Sequence, residues 1–225
     1  KAEQEQGYII GTGSSLAPVL YTYYGSTVNL YSGNLTATKQ VAQAGVLAVA
    51  NDQHDKYEVP QNDHATVFNM YGGRIYGGKV DKNGGNIASF HGGTFNMYGG
   101  EISGGTAGQA GGNIVVASAN SDTENMVLNI YGGVIKDGTA GTDGGNIYGG
   151  SNSEVHIYGG TVADGTALGN GGNISMITDA LTMEGGTVSG GQANAGGNIY
   201  VPAEQTTNLV LDGGTVTGGK SQTHG

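Results

Sequence analysis

Apolar residues recur along this chain in short alternating bursts, each closed by a pair of glycines. Phe68 and Met70, Phe95 and Met97, Leu128 and Ile130, and Val155 and Ile157 each bracket one intervening residue and run into Tyr-Gly-Gly. Leu181 and Met183, then Leu209 and Leu211, repeat the pattern with Glu and Asp in place of the tyrosine. A period of two puts both members of each pair on one side of a strand. A second apolar position follows the glycines, at Ile75, Ile102, Ile135, Val162, Val188 and Val216. A third lies in a Gly-Gly-Asn-Ile segment, at Ile87, Ile114, Ile147, Ile174 and Ile199. The pattern predicts three short strands per unit, with glycine corners between them.

The units are spaced evenly. The first glycine of the earlier pair stands at Gly72, Gly99, Gly132, Gly159, Gly185 and Gly213, steps of 26 to 28 residues with one of 33. From that glycine to the Gly-Gly-Asn glycine the step is 12 in four copies and 11 in the fifth, while the return varies from 14 to 21. One arc of each unit is therefore rigid and one edge carries loops. About four inward apolar residues per unit cannot make a core alone. Stacked units can, because each residue covers its equivalent about 4.8 Å away. The expected fold is all-β: a right-handed parallel β-helix of about seven coils of ~27 residues, with three short strands per coil.

A helical solenoid is excluded by the glycine density and the period of two, and a hexapeptide helix by the lack of a strict six-residue repeat. Residues 27–225 form the repeats, starting from a worn copy at Val28, with a loop insertion at 50–65. Residues 1–26 have no copy of the repeat and enough apolar side chains to cap the first coil. The seventh copy stops at Gly225 where Gly-Gly-Asn-Ile should follow, so the repeats read as truncated. A coil cut there leaves unpaired backbone, a template for further coils or end-to-end self-association.

Composition narrows the partners. Eight Lys and Arg stand against 18 Asp and Glu, for a formal net charge of −10, and Arg74 is the lone arginine. No basic cluster exists to displace counterions from nucleic acid, and anionic membrane surfaces are disfavoured alike. No apolar run is long enough for membrane insertion. The absence of cysteine removes disulfides and thiolate chemistry.

The GGNI and FNMYGG segments resemble the repeats of polymorphic outer-membrane proteins and autotransporter-type adhesins, over about residues 27–225. The fold resembles the pectin-lyase-like superfamily more broadly. The F-x-x-N companion repeat of the outer-membrane family is missing, since Phe68 and Phe95 are each followed directly by Asn. The resemblance implies a secreted or bacterial cell-surface β-helix. Since the superfamily holds lyases, hydrolases and adhesins, fold alone does not choose the activity.

Four features could carry chemistry. Tyr31, Tyr71, Tyr98, Tyr131 and Tyr158 share one repeat position, and Asn29, Asn69, Asn96 and Asn129, then His156, share another two residues earlier. If both columns face outward they form an aromatic and amide strip suited to sugar chains; stacked columns can equally be ladders that stabilise neighbouring coils. Asn86, Asn113, Asn146, Asn173 and Asn198 read as an internal structural ladder, Asn being tolerant of left-handed backbone. The loop with Asp52, His54, Asp55, Glu58, Asp63 and His64 gathers acids and histidines but matches no ligand spacing, as for an ordinary solvated loop. Asp137 to Gly145 is like a calcium-binding nonapeptide, yet Asp143 has no equivalent in the adjacent coils.

The expected function is an extracellular or cell-surface adhesin or stalk, with a polysaccharide or host-surface glycan as partner. Its ligand contacts would be Tyr71, Tyr98, Tyr131, Tyr158, Asn69, Asn96 and Asn129. The alternatives are a polysaccharide lyase or glycoside hydrolase and a structural, self-associating fibre. The lyase reading lacks a basic partner for Arg74 in the next coil, where Glu101 sits. The residues suggest no cofactor, no metal and no catalytic set.

Overall fold

The computed structural model describes residues 8–11, 18–23, 25–38, 40–41, 44–50, 66–90, 92–117, 125–177, 179–202 and 208–224. Among them are 28 strands and no helix, arranged in four sheets whose pairings are all parallel. The chain is a parallel β-helix. One coil runs through Thr94–Met97, Glu101–Ser103, Thr106–Ala107 and Ile114–Val116, then rises to Met126–Ile130 and starts again. These four positions define the first to fourth sheets, which hold seven, eight, six and seven strands.

The strand register follows the sequence repeat. Phe95 pairs with Phe68 below and Leu128 above, Ile102 with Ile75 and Ile135, and Ile114 with Ile87 and Ile147. A slip of one residue would turn every inward side chain out to water, so the apolar pattern holds the register. The stacked columns make one continuous core in which Phe68, Met70, Ile75, Ile87, Ile102, Ile130 and Ile147 are fully buried. Burying each such side chain contributes about 1.5–3 kcal/mol. Phe68 and Phe95 lie stacked within it, centroids 5.3 Å apart.

The three predicted strands recur in every coil from Thr27 to Tyr200, and from Lys79 on a further short strand follows the second of them, two residues long in four coils and longer at Gln192–Ala195 and Lys220–His224. Its inward residues are small: Val80, Ala107, Ala140 and Ala167. Two residues inside a glycine run show no alternation, which is why the sequence pattern does not reveal this strand. These residues form their own small clusters apart from the main core.

The internal asparagines are placed between the two. Asn86, Asn113, Asn146, Asn173 and Asn198 are buried and form a continuous ladder, each Nδ2 donating to the next Oδ1 at 2.7–2.9 Å. Each Oδ1 also accepts from a backbone N–H eight or so residues earlier, such as Gly105 N to Asn113 Oδ1 at 2.9 Å. Each Nδ2 also donates to a carbonyl of the next coil, such as Asn113 to Lys136 O at 2.8 Å. The ladder reading is right in outcome but not in its backbone reason. None of the five has a positive φ; the left-handed residue is the glycine two before, Gly111 at φ 67° for Asn113.

The glycine between them is required by space instead. A Cβ on Gly112 would lie 2.1 Å from Gly145 O and 2.3 Å from Thr139 N, both backbone atoms of the next coil. Gly112→Ala should therefore destabilise by about 3 kcal/mol, the upper end for overpacking. Gly104 differs: its φ is 62°, but nothing lies within 4 Å of the added carbon, and Asp137 and Asp164 hold equivalent positions at φ 55° and 53°. Gly104→Ala should cost only about 1–2 kcal/mol. Equal urea midpoints for the two variants would contradict the close-approach account.

The segment assigned as a cap supplies Tyr8–Gly11 to the second sheet and Leu20–Tyr23 to the fourth, each in parallel pairing. At the other end, the coil from Asn208 leaves Leu209, Leu211 and Val216 exposed.

Candidate functional site

The outer face of the first sheet carries three columns of side chains. Its strand positions alternate in burial, as in Val67–Met70, where Phe68 and Met70 are inside and Asn69 faces out. The residue after the strand, Tyr71, is held by its own N–H donating 2.8 Å to Leu30 O. Tyr98, Tyr131 and Tyr158 are pinned in the same way to Met70, Met97 and Ile130. Backbone pairing thus sets the tyrosines one strand spacing apart.

Their rings stack. Tyr31, Tyr71, Tyr98, Tyr131 and Tyr158 form one column with centroids 4.8–4.9 Å apart and planes within 6–9° of parallel. The end ring, Tyr31, is 69% exposed and the others 39–43%. The faces of the inner rings cover one another, so their edges and hydroxyls meet solvent. One face of Tyr31 and one of Tyr158 have no neighbouring tyrosine in the column.

Beside the rings runs the amide column. Asn69 donates to Asn29 at 2.9 Å, Asn96 to Asn69 at 2.9 Å and Asn129 to Asn96 at 2.8 Å, opposite in direction to the internal ladder. Each amide uses one N–H and one lone pair along the column, leaving one of each per coil toward solvent. The predicted residues Asn69, Asn96, Asn129, Tyr71, Tyr98, Tyr131 and Tyr158 are therefore all brought together on one exposed strip.

The strip changes character toward the later coils. Through Tyr131 its three columns carry Thr, Val, Asn and Tyr alone. In the next coil His156 takes the asparagine position, its Nε2 lying 3.2 Å from Glu154 Oε2 and its ring 6.1 Å from that of Tyr158. Glu184 and Asp212 then occupy the tyrosine position.

A second cluster was not foreseen. Glu101 Oε1 accepts from Arg74 Nη2 at 2.8 Å, while Lys136 Nζ lies 3.5 Å from its other oxygen, so a cation stands on each side of this carboxylate. The Arg74 guanidinium also sits 4.9 Å from the Tyr76 ring centroid. Desolvation raises the Glu101 pKa, but hydrogen bonds from Ser103 and Arg74 and the charges of Arg74 and Lys136 outweigh it, so the carboxyl titrates below its ordinary range. Lys136 is two repeats away from Arg74 in sequence, so comparison of adjacent copies does not reveal it. The pair is exposed, and such surface pairs add little stability.

Asp143 accepts a hydrogen bond from the backbone N–H of Asn170 at 2.6 Å, a loop-pinning contact. The acid- and histidine-bearing stretch at residues 51–65 lies outside the described residues. Among the described residues no group of three or more His, Asp or Glu is placed to hold a metal ion, and no helix is long and apolar enough to cross a membrane. No family model matches the chain, and neither curated proteins nor solved structures give a match.

Proposed function

We propose that the chain is an extracellular or cell-surface stalk whose first-sheet outer face binds a polysaccharide or host-surface glycan. The observation that carries the reading is the exposed, in-register strip of Tyr31, Tyr71, Tyr98, Tyr131 and Tyr158 beside Asn29, Asn69, Asn96 and Asn129. From Tyr31 to Tyr131 it is free of charge and repeats the same donors and acceptors over four coils. A hydroxyl-rich chain laid along the helix axis would meet phenol hydroxyls, ring edges and the spare amide groups. The covered ring faces limit face-on sugar stacking to the two ends of the column. The reading takes the β-helix as right-handed and pectin-lyase-like, with repeats that resemble those of autotransporter-type adhesins. The general preference of parallel strands for right-handed crossovers and the repeat grammar support that choice.

A structural reading has its own support. Stacked rings and chained amides stabilise adjacent coils directly, each cross-strand pair by about 0.2–1 kcal/mol, as a self-associating fibre requires. The double change Tyr98→Ala/Tyr131→Ala separates the two. Binding predicts loss of a wild-type glycan-array signal with an unchanged far-UV spectrum. Unfolding of the double variant would assign the column to stability, and a wild-type chain that binds no glycan would remove the binding reading.

A further inference from the structure

We propose that the tyrosine column is an oxidative cross-linking site, at which neighbouring rings of successive coils are joined covalently as dityrosine. The geometry provides what the reaction needs. Four consecutive ring pairs, Tyr31–Tyr71, Tyr71–Tyr98, Tyr98–Tyr131 and Tyr131–Tyr158, lie at 4.8–4.9 Å with planes nearly parallel. All five rings are exposed at their edges, where the phenol oxygen and the ortho carbons lie. The backbone holds each ring in register with the next, so a phenoxyl radical formed on one has a partner ring beside it before it can meet another molecule. Proximity of this kind makes the coupling effectively unimolecular. Three tyrosines elsewhere are placed differently: Tyr76 lies under Arg74, and Tyr148 and Tyr200 flank Ser175 on the fourth sheet.

The chemistry balances with a peroxide-driven one-electron oxidant. Two phenols each give up one electron and one proton, forming two phenoxyl radicals with spin density at the ortho carbons. A tilt of two adjacent rings about χ2 brings those carbons together, and one carbon–carbon bond forms. The hydrogen on each bonded carbon then moves as a proton to its ring oxygen, restoring both phenols. The two electrons and two protons released reduce one hydrogen peroxide to two waters. If each ring couples once, five rings in line give at most two bonds, with one ring left over. Each bond would close a loop between adjacent coils on the solvent face of the first sheet. Such closure restricts the unfolded chain, so the oxidised protein should be harder to unfold.

The test is treatment of dilute, folded protein with a plant haem peroxidase and hydrogen peroxide. Wild type should gain dityrosine fluorescence while remaining monomeric on a denaturing gel. Mass spectrometry of a digest should place the links between Tyr71 and Tyr98 or another adjacent pair, and the urea midpoint should rise. The double variant Tyr71→Phe/Tyr131→Phe keeps the stack but leaves no two tyrosines adjacent, and should lose the intramolecular product. Cross-links found only between chains, or mapped away from the column in wild type, would overturn the proposal. So would an undiminished intramolecular yield in the double variant.

Discussion

Changing Asn113 to Asp should destabilise the β-helix by about 3–5 kcal/mol at neutral pH, although the side chain hardly changes in size. Asn113 is fully buried, and its amide makes four hydrogen bonds at 2.7–2.9 Å. Its Oδ1 accepts from Gly105 N and Asn86 Nδ2, and an aspartate would keep both. Its Nδ2 donates to Lys136 O and Asn146 Oδ1, and there an anionic oxygen would face two acceptors. An uncompensated buried charge costs about 3–5 kcal/mol. The sign of the pH dependence follows. Burial favours the neutral acid, so the variant's folded pKa lies above its unfolded one. The penalty is full above the folded pKa and fades as pH falls from there toward the unfolded value, because a protonated oxygen can donate again. Asn113→Leu removes the charge problem but orphans Gly105 N and breaks the amide chain at both sides, for about 2–5 kcal/mol at about 1–3 per unsatisfied group. Urea titration of the two variants at several pH values checks this: Asp should improve in acid relative to wild type and Leu should not. A neutral Asn113→Asp at pH 7 would contradict the ladder.

Truncating Ile147 should cost a similar amount by another route. The residue is fully buried and pairs in register with Ile114 below and Ile174 above. Ile147→Ala removes apolar contact with both and leaves a cavity between coils, for about 2–5 kcal/mol. The parallel strands on either side are held by backbone bonds, such as Ile147 N to Asn173 O at 2.8 Å, which limits collapse into the gap. Ile147→Asp should be worse, since it buries a charge among aliphatic side chains. Differential scanning calorimetry would show the loss as a lower melting temperature. An unchanged transition for either variant would refute the stacked core.

Much of the fold was legible because a β-helix is built from local repeats. Phe68, Phe95 and Leu128 occupy the same place in the repeat and the same column in space, so counting from one glycine to the next already gives the register. The candidate strip was legible in part. That Tyr71, Tyr98 and Tyr131 share a column follows from spacing, as does the end of the column at Glu184. Whether the column faces outward, and whether its rings touch, depends on side-chain direction at a residue just past the strand end. The alternation of apolar and polar positions has stopped there, so the sequence pattern no longer reports direction.

What the sequence determined by itself is therefore the periodic part: an all-β stack, its strand register and its inward columns. The tertiary structure decided what depends on side-chain direction and on packing between coils. It added a two-residue strand at Thr106–Ala107 with no pattern of its own. It joined Arg74 and Lys136 through Glu101 across three coils. It also showed that the tyrosine faces cover one another, which turns a plausible stacking surface into a column of edges. The physical reason is the same in each case. A repeat specifies which residues are stacked at strand spacing, but the direction and reach of a side chain are set by the packing around it.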